Sequence, residues 1–171
     1  RLYKGHKMKK ILIFVLLLCI TVAGSGCHSQ NHKIIPFENK NVIMECTVNK
    51  KFNVIIEKED NTLSLEVCSP KEIEGIKFVF TESDSYAFTE DTKIPIDKKA
   101  YSGIYAIASI LNIKEEMSIS ASSNDHGASV IFTNDGCNYS FGYDDGGYLV
   151  SVEIKSPDFT YSIIINGLKI Q

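Results

Sequence analysis

The sequence predicts an α+β domain, a half-barrel in which a strongly curved antiparallel β-sheet of about ten strands wraps one central α-helix. Apolar and polar residues alternate with a period of two through most of residues 41–171, as in strands that bury one face. Residues 98–112 instead have helical spacing and are apolar around most of the helix circumference. Such a helix has to be enclosed, and a bent sheet encloses it on more sides than a flat one.

The strands are predicted from alternating runs that are separated by turn residues. In the first run, Cys46 lies on an apolar face, whereas Glu45 and Thr47 lie on the opposite face. Pro95 lacks an N–H donor, so the strand that contains it belongs at a sheet edge. The predicted strands cover residues 42–48, 52–57, 63–67, 76–80, 86–88, 94–96, 118–122, 130–132, 139–143, 148–154 and 159–165.

The helix is expected to run from Lys98 to about Asn112, with Asp97 as its N-terminal cap. Two further apolar residues, Ile107 and Ile110, fall outside its main stripe, which is why few of its sides can face water. The main stripe consists of Tyr101, Ile104, Tyr105, Ala108 and Leu111.

The start of the chain resembles a bacterial lipoprotein signal. Lys9 and Lys10 precede an apolar run at residues 11–20, which is shorter than the roughly 20 residues of a membrane-spanning helix. The run is followed by Gly24-Ser25-Gly26-Cys27, a lipobox in which Gly24 replaces the usual Leu. Ordinary secretion with cleavage nearby and an uncleaved N-terminal anchor are the alternatives.

This signal predicts the organisation of the chain. Residues 1–26 are the leader and signal peptide, Cys27 carries the lipid, and residues 27–40 form an acylated tether. Residues 41–171 form a single half-barrel domain, held at the extracytoplasmic face of the cell membrane by the lipid.

The charge of the processed chain disfavours nucleic acid as a partner. Residues 1–26 contain five basic residues and no acidic one, so 13 basic residues remain against 21 acidic ones, a net charge of −8. Phosphate backbones repel a domain of this charge.

Three cysteines remain after Cys19 leaves with the signal and Cys27 is acylated. Cys68 lies on the polar face of its strand, so it is not expected to pair with Cys46. Cys46 and Cys137 both lie on apolar faces and form the one plausible disulfide. Buried free thiols are the favoured alternative.

No motif for catalysis, a cofactor or a metal ion is present, and the protein is expected to act by binding and not as an enzyme. His126 lies among turn residues, without Cys or His at ligand spacing. The segments Asp144-Asp145-Gly146-Gly147 and Asp135-Gly136 could offer oxygens to Ca²⁺, but their spacing does not match an EF-hand loop.

Aromatic residues are numerous, with eight Tyr and nine Phe. They either line a pocket for an apolar ligand or fill the core around the helix. The candidates on the inner face are Phe52, Phe78, Phe80, Tyr101, Tyr105, Tyr139, Phe141, Tyr148, Phe159 and Tyr161.

Two segments carry a resemblance to a known family. The run from Leu63 to Phe78 is LSLEVCSPKEIEGIKF, and the hairpin from Gly147 to Ile154 is GYLVSVEI. With the lipobox, they resemble the lipoprotein-localisation (LolA/LolB-like) fold, and more specifically small lipoproteins of Gram-positive, Clostridia-type bacteria, a build similar to that of the germination lipoprotein GerS.

The resemblance implies a LolA/LppX-like half-barrel and a binding function. Relatives of this shape hold acyl chains between sheet and helix, or bind a partner protein with the outer sheet face. The first expectation is therefore an accessory protein with a protein partner at the cell envelope. The alternative is a carrier of a lipid or another hydrophobic ligand.

Overall fold

The computed structural model describes residues 37, 40–90, 92–114, 117–124 and 127–171. Within these residues, no helix is long and apolar enough to span a membrane. The described chain contains eleven strands: β1 (Val42–Val48), β2 (Phe52–Glu59), β3 (Thr62–Ser69), β4 (Lys77–Phe80), β5 (Ser85–Thr89), β6 (Thr92–Pro95), β7 (Ser118–Asn124), β8 (Gly127–Asn134), β9 (Cys137–Tyr143), β10 (Leu149–Lys155) and β11 (Thr160–Ile170).

All eleven strands form one antiparallel sheet. Its order is β6-β5-β4-β3-β2-β1-β11-β10-β9-β8-β7, so the first and last strands pair in the middle and every other pair is a sequential hairpin. The strand that contains Pro95 is an edge strand, as predicted. The predicted antiparallel sheet is confirmed, and its strand count is close to the prediction.

The topology explains why the helix is central. The chain leaves β6 at one edge of the sheet and returns as β7 at the other edge, so the connection has to cross a face of the sheet. This connection contains α1 (Ser102–Ala108), which continues as a 3₁₀ turn over Ser109–Asn112.

The predicted start of the helix is wrong. Lys98 to Ala100 form a turn, and α1 begins only at Ser102, after Tyr101, whose side chain makes no capping hydrogen bond. Asp97 caps the turn instead, because its Oδ1 accepts the N–H of Lys99 at 2.9 Å. The predicted end at Asn112 agrees with the structure, although the last residues are 3₁₀ and not α-helical.

One face of the sheet is buried in both halves. In β1, Val42, Met44, Cys46 and Val48 are buried, and Glu45 on the other face is exposed. The same alternation in β9 buries Cys137, Tyr139, Phe141 and Tyr143.

Contacts with the helix show that the sheet curves around it. The rings of Tyr105 and Phe80 (β4) are 5.2 Å apart, whereas the carbonyl of Ala106 accepts a 3.2 Å hydrogen bond from the hydroxyl of Tyr139 (β9). Six strand-to-strand steps separate β4 from β9, which amounts to about 29 Å in a flat sheet. Because a helix is only about 10 Å wide, the sheet has to bend to bring both strands to neighbouring residues.

The described core begins before residue 41. Phe37 is only 4% exposed, and its carbonyl accepts a 3.0 Å hydrogen bond from Nζ of Lys58. Lys58 is itself buried, at a position of β2 paired with Val42 on the apolar face. Phe37, near the end of the predicted tether, is therefore packed on the domain. Residues 1–36, which include Cys27, lie outside the described residues.

The described cysteines, Cys46, Cys68 and Cys137, are free thiols, as the favoured alternative expected. Cys46 and Cys137 are buried, and Cys68 is half-buried. Burial raises the pKa of Cys46 from 9.0 to about 12, with a smaller contribution from Cys68. The thiol of Cys46 is therefore neutral at physiological pH.

Two predicted turns illustrate how the hairpins are made. Asp135 and Gly136 connect β8 to β9 with φ values of 49° and 75°, the left-handed conformation that such two-residue turns require. At the other turn, the pairing of Asn124 with Gly127 closes the β7–β8 hairpin. His126, which was assigned to that turn, lies outside the described residues.

Because the helix is enclosed, replacing a buried isoleucine beside it should destabilise the domain much more than replacing an exposed isoleucine of the sheet. Ile110 is 0% exposed in the 3₁₀ turn, whereas Ile164 of β11 is 44% exposed on the outer face of the sheet. Ile110→Ala should lower the free energy of unfolding by about 2–5 kcal/mol, because it leaves a cavity. Ile164→Ala should change it by no more than about 0.5 kcal/mol. Urea denaturation of both variants measures this, and equal effects would contradict the enclosure.

Candidate functional site

The candidate site is a cleft between the helix and one half of the sheet. It has a volume of about 730 Å³, within the range of about 300–1,000 Å³ that is usual for small-molecule sites. The start of α1 forms one wall, and the β8–β9 and β10–β11 turns form the opposite wall. Its apolar lining is provided by Tyr105, Ala106, Cys137, Tyr139 and Phe159.

Tyr139 is the least exposed of the residues that line the cleft. Its side chain is almost fully buried, and its hydroxyl donates a 3.2 Å hydrogen bond to the carbonyl of Ala106. Burial raises the pKa of Tyr139 above its ordinary value of 10.0, and its electrostatic interactions with the neighbouring Cys137 and with the carboxylate of Asp135 raise it further. The phenol therefore remains a neutral donor and ties the sheet to the helix.

Cys137 lies beside Tyr139 in the wall of the cleft. Burial raises the pKa of its thiol above 9.0, and the carboxylate of Asp135 adds to the shift. A thiol with a raised pKa is a weak nucleophile at neutral pH. Cys137 thus contributes apolar surface to the cleft.

Phe159, which directly precedes β11, completes this wall, and Tyr161 of β11 packs against it. The rings of Phe159 and Tyr161 lie 5.1 Å apart. Tyr161 approaches the helix so closely that a Cβ atom at Gly103 would lie 2.5 Å from its hydroxyl oxygen. A side chain at position 103 would therefore require the end of the Tyr161 ring to shift.

Tyr105 lies between the cleft and a smaller space. Its ring packs edge-on against Phe80, and Nζ of Lys98 lies 3.7 Å from its ring centroid, a cation–π contact. Both Tyr105 and Lys98 also line a second cavity of about 160 Å³, next to Lys58 and Leu63.

The ten aromatic candidates fall into several groups. Tyr105, Tyr139 and Phe159 line the cleft. Phe78, Phe80 and Phe141 are buried in the core, and Phe52 and Tyr161 are half-buried against it. Tyr101 is 38% exposed, with its ring 5.8 Å from that of Phe78.

Tyr148 lies elsewhere. It is 73% exposed in the β9–β10 loop, beside a third cavity of about 260 Å³ that Phe37, Tyr143 and Leu168 also line. This cavity is at the opposite end of β11 from Phe159. Tyr148 is therefore not part of the cleft.

Sequence reasoning missed several cleft residues. Ser102 and Ala106 are small helix residues without a distinctive pattern, yet both line the cleft. Asp135 was considered as a site residue only for Ca²⁺, whereas the structure places both Asp135 and Asp158 in turns at the mouth of the cleft. The signal in the sequence that could have identified Asp135 and Asp158 is a charged turn next to the end of an apolar strand.

Asp144, one of the carboxylates considered for Ca²⁺, organises a loop. Oδ1 of Asp144 accepts the N–H groups of Gly146 and Tyr148, each at 2.9 Å, so it organises the β9–β10 loop. Among the described residues, no group of three or more His, Cys, Asp or Glu side chains is arranged to hold a metal ion.

Comparisons with known proteins give structural likenesses only. No protein-family model matches the sequence, and no curated protein matches it. Among solved structures, an uncharacterised conserved protein from Thermus thermophilus is similar, at 8% identity and a TM-score of 0.46, over 79% of this chain and 81% of that one.

Two other similar structures carry lipoprotein-related names. A LolA superfamily protein from Nitrosomonas europaea has 8% identity and a TM-score of 0.38, over 77% of this chain and 84% of that one. A putative outer membrane lipoprotein-sorting protein domain from Vibrio parahaemolyticus has 10% identity and a TM-score of 0.42, over 77% and 85%. No function is transferred from these likenesses.

Proposed function

We propose that this domain binds an apolar small molecule, such as an acyl chain, in the cleft between the helix and the sheet. The observation that carries the proposal is the cleft of about 730 Å³ with Tyr105, Tyr139 and Phe159 in its walls. Cavities of this size with apolar walls and a few polar groups at the mouth are typical of ligand sites.

Burial of apolar surface supplies the affinity in this proposal. Each buried CH₂ group contributes about 0.8 kcal/mol, so a segment of about eight carbons gains about 6 kcal/mol before the cost of ordering it. The polar groups at the mouth, among them Ser102 and Lys99, stay near water and would contact the polar end of the ligand.

Binding without catalysis fits the chemistry of the walls. Cys137 and Tyr139, two ionisable residues in the cleft wall, both have raised pKa values because they are buried. Neither is activated as a nucleophile or base at neutral pH.

The proposal includes membrane anchoring through Cys27. The lipobox-like sequence before Cys27 supports it. Because the processed chain is negatively charged and anionic lipid repels it, the acyl chains would have to supply the membrane affinity. In this arrangement, the domain works at the extracytoplasmic face of the cell membrane, on a tether that ends near Phe37.

A protein partner at the envelope is the second candidate function. The observation in its favour is a set of exposed apolar side chains outside the cleft, namely Tyr148, Val150 and Ile164. Val150 and Ile164 lie on adjacent strands, since Ser151 pairs with Ile164. Binding of an apolar ligand in the cleft would not use these residues.

The cleft can be tested by blocking it. Ser102 is exposed on the wall formed by α1, so a Ser102→Trp ring would occupy the cleft without disturbing the core. We expect the affinity for the uncharged fluorophore N-phenyl-1-naphthylamine to fall at least about tenfold, the loss of roughly 1.4 kcal/mol of apolar contact. Titration by fluorescence measures this.

Ser83→Trp is the matched control, because Ser83 is exposed in the β4–β5 loop away from the cleft. It introduces the same fluorophore into a chain without Trp and should leave the affinity unchanged. An unmodified protein that does not bind the probe would refute the proposed function, and equal loss in both variants would refute its location.

Anchoring is tested separately with Cys27→Ala. Without the thiol there is no atom to acylate, so the precursor should keep its signal peptide and carry no lipid. Mass spectrometry of the protein from membrane fractions measures both, and Cys46→Ala is the control that should be processed normally. Normal processing of the Cys27→Ala protein would contradict lipobox cleavage.

A further inference from the structure

The mouth of the cleft is ringed by charged residues of both signs. Asp97, Lys98 and Lys99 come from the turn before α1, Asp135 from the β8–β9 turn and Asp158 from the β10–β11 turn. All five are exposed. Three carboxylates therefore face two ammonium groups around one opening.

One of the two lysines, Lys98, lies against an aromatic ring of the cleft wall. Nζ of Lys98 lies 3.7 Å from the ring centroid of Tyr105, which offers it a π face. Among the described residues, neither Asp135 nor Asp158 forms an ion pair. The carboxylates of the two sheet turns therefore have no direct cationic partner within the described part of the chain, and with Asp97 they outnumber Lys98 and Lys99 at the mouth.

The negative charge of Asp135 acts on two residues in the wall of the cleft. It raises the pKa of both Cys137 and Tyr139, in each case as a smaller contribution than burial. A second negative charge brought by a ligand would be repelled by the same carboxylate. The aromatic walls act in the same direction, because π faces attract cations.

From this arrangement we infer that the cleft takes an apolar ligand whose polar end carries no negative charge. The inference rests on the proposed function and narrows its ligand class to uncharged and cationic amphiphiles. Fatty acids and other anionic lipids bind more weakly than these, because the carboxylates outnumber the ammonium groups at the mouth.

The experiment compares three probes with the same dodecyl tail: dodecyltrimethylammonium, dodecyl maltoside and dodecanoate. Each displaces N-phenyl-1-naphthylamine from the protein, below its micelle concentration and with circular dichroism to verify folding. The cationic probe should bind about tenfold more tightly than dodecanoate, with the maltoside between them. At about 1 M salt, where the Debye length is about 3 Å, the charge-dependent difference should largely disappear.

Matched variants locate the effect. Asp135→Asn combined with Asp158→Asn should tighten dodecanoate binding about fivefold and should change maltoside binding much less, because the maltoside head carries no charge. Asp145→Asn is the control, because Asp145 is exposed in the β9–β10 loop, outside the cleft. It should change none of the three affinities.

The outcomes separate the two claims. Dodecanoate binding as tight as that of the cationic probe, or an unchanged preference in the double variant, would overturn the inference and leave the proposed function intact. Failure of all three probes to bind would overturn both.

Discussion

The fold depends on a helix that cannot exist without the sheet. α1 has seven residues, well below the about 12–15 that an isolated helix needs, and it has no side-chain cap. It is stabilised by contacts with two distant strands, through the ring of Phe80 and the hydroxyl of Tyr139. Because these contacts hold two parts of an open sheet together, the sheet bends, and the space beside the helix becomes the cleft.

The strands and their buried faces could be predicted from the sequence, because a period of two is a local signal. Pro95 also placed its strand at an edge correctly. The pairing of β1 with β11 could not be predicted in this way, since local alternation does not determine which distant strands meet. The bulge between Glu45 and Cys46 could not be predicted either, because it is a feature of the pairing of β1 with β11.

The helix and the cleft were predicted less completely, for related reasons. Asp is a residue type that often caps helices, but its carboxylate can also stabilise a turn. Asp97 does the latter, because it accepts the N–H of Lys99. Alternation assigns an aromatic residue to a face but does not give its height along the strand. Tyr139 and Tyr148 were therefore grouped together, although one is buried beside the helix and the other is exposed in a loop.

The central claim is that the helix lies against the curved face of the sheet at Tyr139. The most direct measurement is the nuclear Overhauser effect between the ring protons of Tyr139 and the protons of Ala106 in the folded domain. Since the Tyr139 hydroxyl and the Ala106 carbonyl are 3.2 Å apart, cross-peaks between these two residues are predicted. Their absence in a fully assigned spectrum, with Ala106 exchanging its amide proton as fast as an exposed residue, would contradict the account.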